Sequence, residues 1–275
     1  LDPAPSAPFD LDAYLARTGY SGSVRPTADV LEGLHLAHAT RVPFENLDIQ
    51  LGRPIRLDLD SLQAKLVRGR RGGYCFEQNT LFAAALERVG FPVTRLAARV
   101  RLGSPRPSPR THMLLRVAAD GRDWLADVGF GGGGLLLPMP LEAGRESRQF
   151  AWGYRLAAGA GGWALRSRQG EGWLDLYAFT TEPQEPVDFE VANYFVSTHP
   201  ESHFVRTLTA QLPTPEARFT LRNREFTVDR GGEVSGRTLA SDEELLAVLA
   251  TAFGLTFPAG TRFRAPGDPA APAEG

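Results

Sequence analysis

At Phe91 the hydrophobic period of the chain changes, and that switch limits the folds open to it. Upstream, apolar residues recur at helical spacing. "FDLDAYLARTGY" places Leu11, Tyr14 and Leu15 on one side after an Asp cap. "TADVLEGLHLAHATRVPF" opens on a Thr27 cap and carries Val30, Leu31, Leu34 and His38 on one face. "LDSLQAKLVRG" reads as a third short helix ended by Gly69, and a fourth runs from about Tyr74 to Val89 and stops at Gly90. Downstream, "FPVTRLAARVRL", "THMLLRVAADGRDWLADVGF", "QFAWGYRLAAGAGGWALRSRQ" and "GWLDLYAFT" are short β-rich runs broken by Gly, Asp and Pro turns. That is hairpin spacing, so an antiparallel barrel or sandwich is expected. "PVDFEVANYFVSTHP" then reads as a connecting helix, followed by strands in "HFVRTLTAQL" and "EARFTLRNREFTVDR" and a last helix in "ASDEELLAVLATAFGL".

The expected class is therefore α+β. A helical domain spans 1–90, a β-barrel domain 91–186, a connecting helix 187–199 and an α/β lid 200–264, with a disordered tail at 265–275. A chain of 275 residues is long enough for several such parts. Its net charge of −2 gives no electrostatic case for nucleic acid or an anionic membrane. Of 30 basic residues only Lys65 is lysine. The N-terminal stretch lacks the basic start and apolar core of a signal peptide, and no apolar run is long enough to span a bilayer. One cysteine permits no internal disulfide and no Cys-rich zinc site, so a cytoplasmic protein without a metal is expected.

That cysteine, Cys75, falls in "RGGYCFEQN", in the first turn of the fourth helix. Unpaired N–H groups and the helix dipole favour negative charge there, and thiolate is the nucleophilic form of cysteine. Gly72 and Gly73 are expected to turn the chain sharply into the helix and to leave room beside the sulfur. A free cysteine is otherwise usually a small buried hydrophobe, so a nucleophile needs a base nearby. The hairpin "THMLLRVAADGRDWLADVGFG" supplies one. Asp120-Gly121 is a turn signal, and any even-length loop puts His112 and Asp127 on one face, directly opposed or diagonal. A buried Asp127 demands a partner, and its carboxylate would fix the His112 tautomer. His35 and His38 sit on a helix without an evident acidic partner; His199 follows a helix end and His203 begins a strand.

"RGGYCFEQN", "THMLL", "DVGFGG", "RVPFENLDI" and "YFVSTHPESHF" together resemble the arylamine N-acetyltransferase family, from about Tyr14 to Phe204. The resemblance implies a Cys75–His112–Asp127 triad, as in papain-like and transglutaminase-like enzymes, and the same three-part architecture. It implies that acetyl-CoA serves as cosubstrate, with no permanently bound cofactor, and that arylamines or arylhydrazines accept the acetyl group. It suggests Phe130 and Phe204 as lining residues. The run "DVGFGGGG" offers backbone N–H groups for the CoA pyrophosphate, at Gly129 and Gly131. Glu77 suits the helix dipole or a pair with Arg71, and "PFENL" closes the helix beside that of Cys75. The expected partners are these small molecules, with the protein a monomer or homodimer. The rivals are a Cys-dependent amide synthase, amidase or thioesterase on the same fold, and a catalytically dead binding module.

Overall fold

The computed structural model describes residues 9–104 and 106–264. The tail expected at 265–275 lies outside the described residues. Helices α1 (Leu11–Thr18) and α2 (Ala28–Arg41) are followed by a two-residue strand β1 (Phe44–Glu45) and the single turn α3 (Leu47–Gln50). Helix α4 (Leu59–Leu62) continues as a π-helical turn over Gln63–Arg68, and α5 spans Cys75–Val89. The α1 cap is as expected: Asp10 accepts from the Ala13 N–H at 2.9 Å. Gly90, at φ 106°, ends α5 in a conformation that glycine adopts without strain.

Eight strands come next: β2 (Val93–Val100), β3 (Arg110–Ala119), β4 (Arg122–Ala126), β5 (Met139–Pro140), β6 (Glu146–Gln149), β7 (Trp152–Gly159), β8 (Gly162–Gln169) and β9 (Gly172–Phe179). They pair antiparallel in the order β5-β4-β3-β2-β9-β8-β7-β6 and curl into a nearly closed barrel. Leu96, Leu114, Leu125, Leu156, Leu165 and Tyr177 fill one buried cluster inside it. The opposite face of β3 turns Met113, Leu115 and Val117 into the helical core beside Phe76 and Phe82 of α5. Helix and barrel are thereby joined by period-two alternation along a single strand.

Helix α6 (Pro186–Thr198) connects to α7 (His203–Arg206), then to β10 (Thr209–Pro213), β11 (Arg218–Arg222), β12 (Glu225–Arg230), β13 (Glu233–Thr238) and α8 (Asp242–Phe253). His203 therefore begins a helical turn rather than a strand, because the Ser202 hydroxyl accepts from the Phe204 N–H and caps it. "PFENL" likewise does not close a helix. Phe44 and Glu45 pair antiparallel with Gln211 and Ala210, so β1 is an edge strand of the C-terminal sheet β1-β10-β11-β12-β13. Leu47 joins the C-terminal core with Leu208, Leu221 and Leu249. A segment from the helical part is thus built into the C-terminal sheet. Among the described residues, no helix is long and apolar enough to cross a membrane.

Candidate active site

Cys75 is the first residue of α5, and two glycines precede it. A β-carbon on Gly72 would lie 2.0 Å from the Pro43 carbonyl oxygen, and one on Gly73 would lie 2.7 Å from the Glu77 carboxylate. The pair lets β1 and the helix start pack closely; the space beside them is filled by Pro43, Glu45 and Glu77 rather than left open for substrate. Glu77 Oε2 accepts from the Tyr74 N–H at 3.1 Å, and Oε1 accepts from Lys65 Nζ at 2.7 Å. Arg71 instead pairs with Glu45 at 2.8 Å and Asp48 at 3.2 Å. The only lysine of the chain therefore serves the helix of its only cysteine. Burial lifts the Glu77 carboxyl to about 7 against the pull of Lys65, which it shares with Asp48. Burial opposes the charge on Lys65 too, but Glu77, Glu45 and Asp48 together raise its pKa.

The β3–β4 turn is the two-residue Asp120-Gly121, with φ of 49° and 71°. Leu115 faces Ala126, so His112 and Asp127 meet on the diagonal, the second of the two expected arrangements. His112 Nε2 lies 2.7 Å from Asp127 Oδ2. Nδ1 is left for the Cys75 side, where the thiol and the ring interact. The sulfur also lies 3.7 Å from the Thr111 carbonyl. Cys75 and His112 are each 3% exposed and Asp127 1%, so these groups interact with little solvent between them. Burial alone would push the His112 pKa down. The Asp127 charge and hydrogen bond, with Cys75 adding to them, instead raise it to about 10. Burial would raise the Asp127 carboxyl; His112, Asn79 and the Gly129 N–H hold it below its ordinary value.

Asp127 is fixed from three sides. Its Oδ1 accepts from Asn79 Nδ2 and from the Gly129 N–H, both at 3.0 Å. Asn79 stands one helical turn beyond Cys75, and it also donates to the Met113 carbonyl at 2.7 Å and accepts from the Val128 N–H at 3.2 Å. One side chain thus ties the helix of Cys75 to β3 and to the segment that follows β4. The Asp127 N–H donates to His35 Nε2 at 3.1 Å. Sequence reasoning passed over His35 because its partner here is a main-chain group.

The aromatic residues flank this centre. Phe130 meets the His112 ring edge-on, with centroids 5.1 Å apart, and Tyr177 packs against both rings, 4.9 Å from His112 and 5.1 Å from Phe130. Phe204 lies against Tyr74, the residue before Cys75, at 5.5 Å, and against Phe44 at 5.8 Å. Phe44 in turn reaches the loop: a β-carbon on Gly131 would lie 3.3 Å from it. Tyr177 and Phe44 were not picked out from sequence. Tyr177 sits in a β-rich run that marks it only as a strand residue, and the two-residue strand of Phe44 has no period to read. Several loop amides have partners already: Gly129 N–H on Asp127, Gly132 N–H on Gln211 Oε1 at 2.6 Å, and Gly134 N–H on the Gly131 carbonyl at 2.9 Å. Gly129 has a steric reason to be glycine, since a β-carbon there would fall 2.8 Å from Cys75 Cα.

A family described as N-acetyltransferase matches residues 27–261. An arylamine N-acetyltransferase of Mycolicibacterium smegmatis is 42% identical over 253 residues, 90% of this chain and 92% of that protein. The structure of an arylamine N-acetyltransferase from Salmonella typhimurium covers 89% of this chain and 90% of its own, at 39% identity and a TM-score of 0.86. That of a Mycobacterium marinum arylamine N-acetyltransferase in complex with CoA covers 89% and 92%, at 38% identity and a TM-score of 0.85. Likeness of this extent runs through the helical, barrel and C-terminal parts alike, and it makes the chain a member of the arylamine N-acetyltransferase family.

Proposed function

We propose that this acyltransferase moves an acetyl group from acetyl-CoA to an arylamine or arylhydrazine nitrogen by a ping-pong route through acetyl-Cys75. The observation that carries the reading is the buried His112 ring, held between Asp127 and the Cys75 thiol with its pKa raised to about 10. A ring that keeps its proton at neutral pH supports a resting thiolate–imidazolium pair. The thiolate attacks the thioester carbonyl. The tetrahedral adduct collapses, the bond to the CoA sulfur breaks, and His112 gives its proton to that sulfur. CoA leaves as the thiol, with Cys75 acetylated and His112 neutral. The amine nitrogen then attacks the acetyl carbonyl and His112 Nδ1 takes its proton. The bond to Cys75 breaks, and the thiolate–imidazolium pair is restored as the amide departs. Each half-reaction returns the proton that the other uses.

The Cys75 N–H, at the start of α5, suits the developing oxyanion. Phe130 and Phe204 suit an aromatic acceptor and disfavour water at the acyl-enzyme. In this reading the CoA arm passes the glycine-rich loop at Gly131, while Gly129 gives its N–H to Asp127. Intact-mass measurement after mixing with acetyl-CoA and no acceptor tests the scheme. One acetyl adduct is expected, absent in Cys75→Ala and discharged to N-acetylanisidine when an anisidine is added. Release of acetate alone would favour the thioesterase or amidase instead, and no adduct at all would favour the binding module.

A further inference from the structure

His35 on α2 is used in no step of this scheme, and its side chain is fully buried. Each of its ring nitrogens holds one end of the same loop. Nε2 accepts from the Asp127 N–H at 3.1 Å, and Nδ1 donates to the Leu136 carbonyl at 3.0 Å. Those two main-chain groups bracket the glycine-rich segment 128–135. A main-chain N–H can only donate and a carbonyl can only accept, so the tautomer is fixed: hydrogen on Nδ1, lone pair on Nε2. Phe82 of α5 meets the ring edge-on at 5.7 Å and 84° and sets its plane.

Much of the site hangs from this clamp. The Asp127 carboxylate follows its own backbone. Gly129, whose N–H stabilises that carboxylate, lies inside the bracket, and so does Phe130, which covers His112. Other side chains hold the loop at single places. Gln149 bonds the Leu136 and Leu137 main chain, Gln211 takes the Gly132 N–H, and Asn79 takes the Val128 N–H. Among the described residues, His35 is the side chain whose hydrogen bonds reach both ends.

We infer that neutral His35 is a positioning residue for acetyl transfer: by closing the base of the loop it fixes the backbone of Asp127, and through that carboxylate the ring of His112. The inference rests on the triad reading above. Protonation would turn Nε2 into a donor facing the Asp127 N–H, so the clamp works only while the ring is neutral. Its surroundings keep it so. Burial pushes its pKa down to about 4, against the Leu136 bond and the Asp127 charge. The titratable groups facing it are His38 on its own helix and Asp127 across from it; α5 offers Phe82 and the loop end the Leu136 carbonyl.

The test is the single-turnover rate of Cys75 acetylation across pH, with thermal unfolding measured in parallel, for His35→Leu, His35→Gln and His35→Asn. The leucine loses both bonds. Glutamine can place an oxygen where Nε2 was, and asparagine reaches only as far as Nδ1. His35→Leu is expected to slow acetylation about tenfold to a hundredfold per folded molecule, as a slight displacement of the reacting groups would. It should also lower the alkaline limb of the profile, which reports the proton that Asp127 holds on His112. His35→Gln should recover most of both. A purely structural residue would lower the melting temperature and leave limb and rate unmoved, and that result overturns the inference. If the leucine variant does not fold, the order glutamine above asparagine carries the test, and the reverse or no difference overturns it. Cys75→Ala and Asp127→Asn are run alongside. Activity in those two would sink the triad reading itself, whereas their inactivity beside an unaffected His35→Leu would sink this inference alone.

Discussion

Replacing Asp127 with asparagine separates the charge of the carboxylate proposed for the triad from its shape. Oδ1 accepts from two donors, Asn79 Nδ2 and the Gly129 N–H. In Asp127→Asn the amide oxygen must stay on that side, so the NH2 group turns toward His112 Nε2. In the parent protein Nε2 donates to Oδ2 at 2.7 Å. Faced with a donor, the ring must present a lone pair at Nε2 and carry its hydrogen on Nδ1, toward Cys75. A neutral ring in that tautomer cannot accept a proton from the thiol or from an attacking amine. The magnitude follows from the same contacts. Asp127 raises the His112 pKa to about 10 although burial opposes it. Without the carboxylate, burial is opposed only by Cys75 and the ring falls back toward its ordinary value near 6.5. A change of that size corresponds to about 5 kcal/mol between the two protonation states. Acetyl-enzyme formation at neutral pH should therefore slow by about 10³- to 10⁴-fold, and the limb near pH 10 should disappear. Single-turnover acetylation by intact mass, repeated from acid to alkaline pH, reads both. Asp127→Asn retaining a tenth of the parent rate, with the alkaline limb still in place, would refute the reasoning.

Other outcomes follow from the buried groups. Burial lowers His35 to about 4 and His38 to about 3, so both are neutral in the fold. The unfolded chain binds protons on these rings below about pH 6.5, so stability should be lost as pH falls from there toward 4 and then 3. The slope is up to about 1.4 kcal/mol per pH unit for each ring, and urea unfolding midpoints across that range check it. Lys65→Met leaves Glu77 and Asp48 without their ammonium partner and should cost about 3–5 kcal/mol, with Lys65→Met/Glu77→Gln recovering part of it. A loss under about 1 kcal/mol in chemical denaturation would show the cluster to be solvated. Gly129→Ala drives a methyl group to 2.8 Å from Cys75 Cα and should cost about 1–3 kcal/mol and abolish Cys75 acetylation. Calorimetry and intact mass measure the two effects.

What could be read from sequence divides along a physical line. Helix α5 was legible because apolar spacing and Gly90 mark it. The β3–β4 hairpin was legible because Asp120-Gly121 meets a turn that needs positive φ at both positions. His112 and Asp127 could be paired because side chains of complementary chemistry fell on one face of that hairpin. Strand β1 was not legible, since two residues have no period; what makes Phe44–Glu45 a strand is β10, more than 160 residues downstream. Every residue of β13 is exposed, so its sequence shows no alternation either. Lys65 was not matched to Glu77 because several carboxylates and arginines compete along the same stretch and only the packing of the π-helical turn against α5 selects among them.

His35 is the sharpest instance. Its partners lie 92 and 101 positions away, and they are an N–H and a carbonyl, groups that nearly every residue carries. No residue type at position 127 or 136 advertises them. The chemistry of this site is written in side chains and so can be read in one dimension. Its alignment depends on side chains that grip backbone: Asn79 on Met113 and Val128, Gln211 on Gly132, His35 on both ends of the loop. Such grips have no sequence signature at the far end, yet they decide whether the Asp127 carboxylate faces His112. A triad motif therefore identifies the reacting atoms well before it identifies the residues that hold them at reacting distance, and substitutions among the second group should show themselves as altered pH profiles rather than as lost motifs.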